Sequence, residues 1–216
     1  MSALEGRRIA VAGAGGTLGP AVVHALAAQG AWVAAADRRE DALAGLPAGD
    51  ARAADLSSDA GARAWAEAIG DVDGVLHLVG GWKGGQTVED LDLADLELLE
   101  ALLFRTVVHT TRAFAPKLKA AGERGRFALV SSSVVGAPTA GNAAYAATKA
   151  AAEAWTLALA AELAESGATA NVVVVQALTT EPHRSFTHVD DVAAALAFLC
   201  SDAAARMNGQ RLHLHG

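Results

Sequence analysis

The sequence predicts an α/β fold, a single doubly wound domain with a parallel sheet of about seven strands and helices on both faces. Three observations predict it. Short apolar runs alternate with longer amphipathic segments along the whole chain, the pattern of parallel strands joined by helical crossovers. Several of these runs are apolar without alternation, as strands covered on both faces are. A glycine cluster, Gly13 to Gly19, separates the first apolar run from the first helical pattern.

The elements follow in order. Arg8–Ala12 reads as a short strand ending in glycines, and Leu18–Gln29 as a helix stopped by Gly30. Trp32–Ala36 is the second strand, and a third lies just before Asp55. Asp59–Ile69 is helical, and Val75–Val79 is a strand followed by Gly80 and Gly81. Leu91–Leu118 reads as one long helix whose last turns Pro116 perturbs. Arg126–Ser131 is a strand, and Ala143–Ser166 is an alanine-rich helix closed by Gly167. Asn171–Val175, Val189–Ser201 and Leu212–Leu214 complete the chain as strand, helix and strand. No linker or repeat divides residues 1–216, so one domain is expected.

Composition excludes several function classes. Hydrophobic residues make up 52% of the chain and charged residues 19%, enough to bury a large core and exclude disorder. The formal charge of −7 argues against nucleic acid or an anionic membrane as partner. No apolar run reaches the roughly 18–20 residues of a membrane span. The first residues read as the lead into a strand and not as a signal peptide. Cys200 is the only cysteine, which fits a cytoplasmic location. Lying in a helical pattern without a basic neighbour, it reads as a core residue and not a nucleophile. His183, His188, His213 and His215 lack the spacing and supporting ligands of a metal site, so no metal is expected.

In doubly wound sheets, ligands bind beyond the carboxyl ends of the strands. The glycines at 13, 16 and 19 fit G-x-x-G-x-x-G between strand and helix, with Gly15, Thr17 and Leu18 between them. Small residues let the backbone approach a pyrophosphate, and the following helix offers free N–H groups and its positive dipole end. Asp37 ends the second strand, 18 residues after Gly19. A carboxylate there accepts both ribose hydroxyls and repels a 2′-phosphate, which favours NAD. Arg38 keeps NADP as the alternative, unless it and Arg39 simply begin a solvated helix. Asp55-Leu56 either faces an adenine amino group or caps the next helix.

Tyr145 and Lys149 lie four residues apart in a helical segment, so both project from one face. A phenol titrates near 10, and lowering it by three units takes about 4 kcal/mol, which a neighbouring ammonium can supply. Ser132 ends a strand 13 residues before Tyr145, where its hydroxyl can bind a substrate oxygen that the tyrosine protonates.

With these residues assembled, the chain resembles the short-chain dehydrogenases/reductases from about Arg8 to Gly216. The resemblance rests on Gly13–Gly19, Asp37, Asp55-Leu56, Gly125–Ser132, Asn142–Lys149, Val189–Ala193 and the tail from Phe198 through Gln210. It implies a Rossmann-type NAD(P)-binding domain. Tyr145 is then the general acid/base, Lys149 the residue that holds the nicotinamide ribose and tunes the tyrosine, and Ser132 the one that orients the carbonyl. Val79, Gly80 and Gly81 join the cofactor contacts, and Thr179 or Thr180, in the segment after the sixth strand, can hydrogen-bond the nicotinamide amide. The resemblance also implies a homodimer or homotetramer packed through helices 91–118 and 143–166.

Three departures stand out. His77-Leu78-Val79-Gly80 replaces the family's Asn-Asn-Ala-Gly, Leu103 replaces the asparagine of the proton relay, and Gln176-Ala177 replaces Pro-Gly. Leu78–Gly85 is similar to the Gly-Gly-Trp-x-Gly-Gly segment of dihydropteridine reductases, although those generally lack a serine at position 132. The expected function is hydride transfer between NAD(H) and a small carbonyl, quinonoid or imine substrate. The alternatives are a dihydropteridine reductase-like NADH enzyme and an inactive dinucleotide sensor. Only Gln176–His188 separates the sixth strand from the next helix, so a shallow, partly open mouth is expected, walled by Trp82 and suited to a flat substrate.

Overall fold

The structure, a computed structural model, describes residues 2–214. Its main sheet has seven parallel strands: β1 (Arg8–Ala12), β2 (Trp32–Asp37), β3 (Asp50–Ala53), β4 (Gly74–His77), β5 (Arg126–Ser132), β6 (Thr169–Val175) and β9 (Arg211–Leu214). Two further strands, β7 (Ala177–Thr179) and β8 (Phe186–His188), pair in parallel as a separate ribbon. The helices are α1 (Gly19–Ala28), α2 (Asp59–Ile69), α3 (Leu93–Leu99), α4 (Thr106–Ala120), α5 (Ala143–Leu163) and α6 (Val189–Leu199).

The strand order is β3-β2-β1-β4-β5-β6-β9. Successive strands run outward from β1 on one side, and β4 then starts the other side. The reversal lies between β1 and β4, where the loops that leave these strands part and open a crevice.

The apolar strands are explained by burial on both faces. Ile9, Val11, Val33, Ala35, Val173 and Val175 face one core, with α1 and α6. Their neighbours Ala10, Ala12, Ala34, Ala36 and Phe127 face a second core, with α2, α4 and α5. Because successive side chains alternate faces, a strand covered twice must be apolar at every position. Trp65 and Phe114 meet edge to face at 5.0 Å between α2 and α4.

The predicted helix 91–118 is a composite. It begins at Leu93, where the Asp92 carboxylate caps the Ala94 N–H at 2.9 Å. A π-helical segment occupies Glu100–Arg105, and α4 then runs through Pro116 to Ala120. The fourth strand begins one residue earlier than expected and stops at His77, two residues short of Val79. The tight turn at Gly167 is as expected, with a left-handed φ of 80° that closes the helical segment following α5.

Candidate active site

The crevice opens into a cavity of about 950 Å³. Along one end lie Gly13, Gly16, Thr17, Leu18, Asp37, Arg38, Asp55 and Leu56; Val79, Gly80 and Gly81 line the middle; Ser132, Tyr145 and Lys149 line the other end. Fourteen of the residues singled out from sequence, drawn from six separate stretches of chain, therefore face one space.

The glycine loop is built by close backbone approach. Gly13 has φ 81°, and a Cβ on it would sit 2.8 Å from the Val79 nitrogen, so only glycine lets the ends of β1 and β4 meet. The N–H groups of Gly13 and Ala14 both donate to the Ala36 carbonyl, at 2.8 and 2.9 Å. Gly15 and Gly19 do not line the cavity. Gly15 donates its N–H to Asp37 Oδ2 at 3.1 Å, and a Cβ on Gly19 would sit 2.0 Å from the Ala14 carbonyl oxygen. Both shape the loop from behind. No side chain caps α1 at Leu18, and Pro20 sits in its first turn, so the start of α1 remains available to an anion.

Asp37 is held by two backbone donors, Gly15 N–H and Arg39 N–H, both at 3.1 Å. Asp55 does not cap α2; Ser58 does, accepting from Gly61 N–H at 3.1 Å. The Asp55 carboxylate instead accepts from the hydroxyl and N–H of Ser57, and the hydroxyl is the main reason its carboxyl lies below the usual range.

At the far end, α5 brings up Tyr145 and Lys149 one turn apart. Burial raises the Tyr145 phenol above its ordinary value, and a side-chain hydrogen bond with Ser132 offsets part of that. Lys149 is buried and donates from Nζ to the Val130 carbonyl at 2.9 Å. Burial depresses it to about 8, and the Glu153 carboxylate acts in the opposite sense. The ammonium that sequence reasoning assigned to lowering the tyrosine is thus engaged with the backbone, and the phenol is shifted upward. Leu103 lies in the π-helical segment at 1% exposure, packed with Leu99, Ala144 and Tyr145.

Trp82 stands at the mouth, mostly exposed, its Nε1 donating to Asn142 Oδ1 at 3.2 Å. The glycines beside it have a structural reason. Gly85 N–H donates to the Gly141 carbonyl at 2.8 Å, and a Cβ on Gly84 would lie equally close to that oxygen. The loop after β4 is thereby fastened to the turn that starts α5.

Thr180 does not reach the cavity. It is exposed, and its carbonyl accepts from the His188 ring. The segment after β6 is also more ordered than its length suggests: β7 and β8 pair, and Gln176, Ala177, Leu178, Ser185 and Phe186 form a wall. The mouth is partly open, with Trp82 and Phe186 exposed at it. Leu98, Ala101 and Leu102 complete the lining and were not found from sequence, where they look like any apolar helix positions. Among the described charged residues lining the cavity, Asp37, Arg38 and Asp55 lie at the glycine-loop end, and Lys149 alone lies at the other.

A family model described as short chain dehydrogenase matches residues 7–190. Three solved structures share the fold. A short-chain type dehydrogenase/reductase from Mycobacterium ulcerans is 23% identical, with TM-score 0.92, covering 99% of this chain and 90% of that one. A gluconate 5-dehydrogenase from Burkholderia cenocepacia, in complex with NADP and tartrate, is 24% identical, with TM-score 0.89, covering 99% and 95%. A double mutant of a Serratia marcescens short-chain dehydrogenase/reductase is 23% identical, with TM-score 0.86, covering 99% and 98%.

Proposed function

This chain belongs to the short-chain dehydrogenase family and is an NAD(P)-dependent oxidoreductase; from that premise, we propose that it interconverts a small uncharged carbonyl or quinonoid compound and its reduced form, with NAD(H) as partner. The observation that carries the proposal is the sharing of one cavity by two sets of groups. A carboxylate and an open helix start form one end, and a phenol, an ammonium and a hydroxyl form the other.

The residues present fit a dinucleotide. Gly13 could carry no side chain without striking Val79, and its bare backbone faces the cavity. The start of α1 would meet the phosphates, Asp37 the adenosine ribose, Asp55 the adenine side, and Val79 to Gly81 the nicotinamide half. When bound, the nicotinamide supplies or accepts the hydride. Ser132 holds the substrate oxygen, and Tyr145 donates the proton that this oxygen needs as the carbonyl carbon is reduced; in oxidation the same phenolate takes the proton back. Lys149 favours the phenolate electrostatically once its ammonium turns from the Val130 carbonyl toward the tyrosine. Asp37 supports NADH over NADPH, since a carboxylate accepts ribose hydroxyls and repels a 2′-phosphate.

The substrate end supports an uncharged partner. Its walls are Trp82, Leu98, Leu102, Leu178 and Phe186, and Lys149 is the charge there. The aromatic side suits a flat molecule, as in the dihydropteridine reductase-like reading. A sensor that binds the dinucleotide without turnover is the second reading, favoured by the buried Leu103 where a relay residue would stand. A turnover screen with NADH and NADPH over ketones, quinones and dihydropterins separates these readings. Tight cofactor binding without turnover of any of them rejects the enzyme in favour of the sensor.

We also propose a homodimer or homotetramer through the 91–118 and 143–166 helices, in the cytoplasm. Support comes from Trp155, 38% exposed on α5 and packed edge to face on Phe104. Among the described residues, no helix is long and apolar enough to cross a membrane.

A further inference from the structure

The three residues that end β5 each hold one residue of α5, and the three on α5 are spaced by single helical turns. Ser132 meets Tyr145, and the Val130 carbonyl accepts from Lys149 Nζ at 2.9 Å. The third pair is Ser131 and Glu153: Ser131 Oγ donates to Glu153 Oε1 at 2.6 Å. Glu153 is 1% exposed, a burial that a glutamate tolerates only when paired. Its second oxygen is also used, since Arg211 Nε from β9 donates to Oε2 at 2.6 Å. Nothing in the reaction as read above uses this carboxylate.

We propose that Glu153 is a positioning residue that acts through Lys149, keeping the buried ammonium charged and the end of β5 in register with the catalytic helix. The proposal rests on the hydride-transfer reading for its catalytic meaning, but not for its electrostatics. A buried amine sheds its proton unless an opposite charge lies near. The groups that bear on Lys149 come from several elements. His77 on β4 is fully buried, and burial drives its pKa down to about 3, so it brings no charge at neutral pH. The Val130 carbonyl on β5 offers only a dipole, and Tyr145 is neutral until it gives up its proton. Glu153 is the negative charge, and Arg211, reaching inward from the edge strand, partly neutralises it. The final strand is thereby wired to the catalytic lysine through one carboxylate.

The test reads Lys149 directly. The protein is labelled with [13C]lysine, the Lys149 Cε signal is assigned by its loss in Lys149→Met, and its titration is followed by NMR. Glu153→Gln should lower the midpoint by about one pH unit or more. Arg211→Gln, at a half-exposed side chain, should raise it, because Glu153 then acts on the lysine unopposed. An unmoved midpoint in folded Glu153→Gln overturns the proposal. If that variant does not fold, an unmoved or lowered midpoint in Arg211→Gln overturns it. With a turned-over carbonyl substrate, the alkaline limb of reductive kcat/KM should move with the midpoint in each variant. A general loss of packing would lower kcat without moving that limb. Wild-type protein that turns over no substrate rejects the hydride-transfer reading and leaves the NMR result to stand by itself.

Discussion

Lys149 donates its ammonium to the carbonyl oxygen of Val130 at 2.9 Å, two residues before the serine that meets Tyr145. The bond holds the lysine against the strand and leaves the phenol in a desolvated setting that favours its protonated form. In the proposed reaction, this setting suits the phenol to giving a proton rather than to taking one. Reduction of a carbonyl is the direction that a protonated phenol serves.

Tyr145→Phe tests the proton role. The ring and its packing against Leu99 and Leu103 remain, while the transferable proton is lost. kcat should fall on the order of 100-fold or more, with cofactor affinity nearly unchanged. Steady-state kinetics beside calorimetric titration of cofactor decides it; retention of most of kcat would move the proton role elsewhere.

The proposed preference for NADH rests on Asp37. Wild-type protein should bind NADH more tightly than NADPH in isothermal titration. Asp37→Asn should bring the two affinities together by roughly tenfold, about 1.4 kcal/mol. Wild-type affinity for NADPH equal to or above that for NADH contradicts the assignment.

Leu103 is a packing residue. At 1% exposure, Leu103→Ala should cost about 2–5 kcal/mol through the cavity it leaves. Chemical denaturation measures the loss. Turnover at a temperature where the variant is folded should change little. A selective loss of kcat with unchanged stability would refute the packing role.

His77 makes the fold sensitive to acid. It is completely buried, its Nε2 lies 3.2 Å from Thr106 Oγ1, and burial depresses it from 6.5 to about 3. The Thr106 hydroxyl donates to the Leu102 carbonyl, so the ring donates to it from Nε2, and burial keeps the ring neutral. Because the folded value lies below the unfolded one, the contribution is complete above pH 6.5 and is lost as pH falls toward 3. Between those limits it adds a slope of about 1.4 kcal/mol per pH unit. Denaturant unfolding of wild type and His77→Gln from pH 7 to pH 4 should show that slope in the difference. Parallel curves would show that the ring reaches solvent.

The sheet was legible because each strand is buried on both faces and so spells itself in unbroken apolar residues, as Asn171–Val175 does. The loops at the strand ends were legible because close backbone approach demands glycine, as at Gly13. The π segment at Glu100–Arg105 was not, since an apolar pattern marks a helix without showing which carbonyl each N–H meets. Thr180 was misplaced because nothing local says that β7 and β8 pair and turn the following residue outward. The walls from Leu98, Leu102 and Phe186 depend on how distant segments meet. Glu153 looks like a surface glutamate in an alanine-rich helix until Ser131 and Arg211 are set beside it.

Asp37 and Gly15 carry a consequence for how the enzyme's appetite can change. The carboxylate that faces the cavity also braces the glycine loop, through the Gly15 N–H at 3.1 Å. A lineage that trades this aspartate for a phosphate-welcoming side chain removes a strut from the loop in the same stroke. Stiffening the loop with alanine at 15 is blocked, because the new methyl would lie 2.6 Å from the Ala42 Cβ. Under the proposed NAD preference, exchanging Asp37 would therefore change the dinucleotide and the brace of the loop in one step.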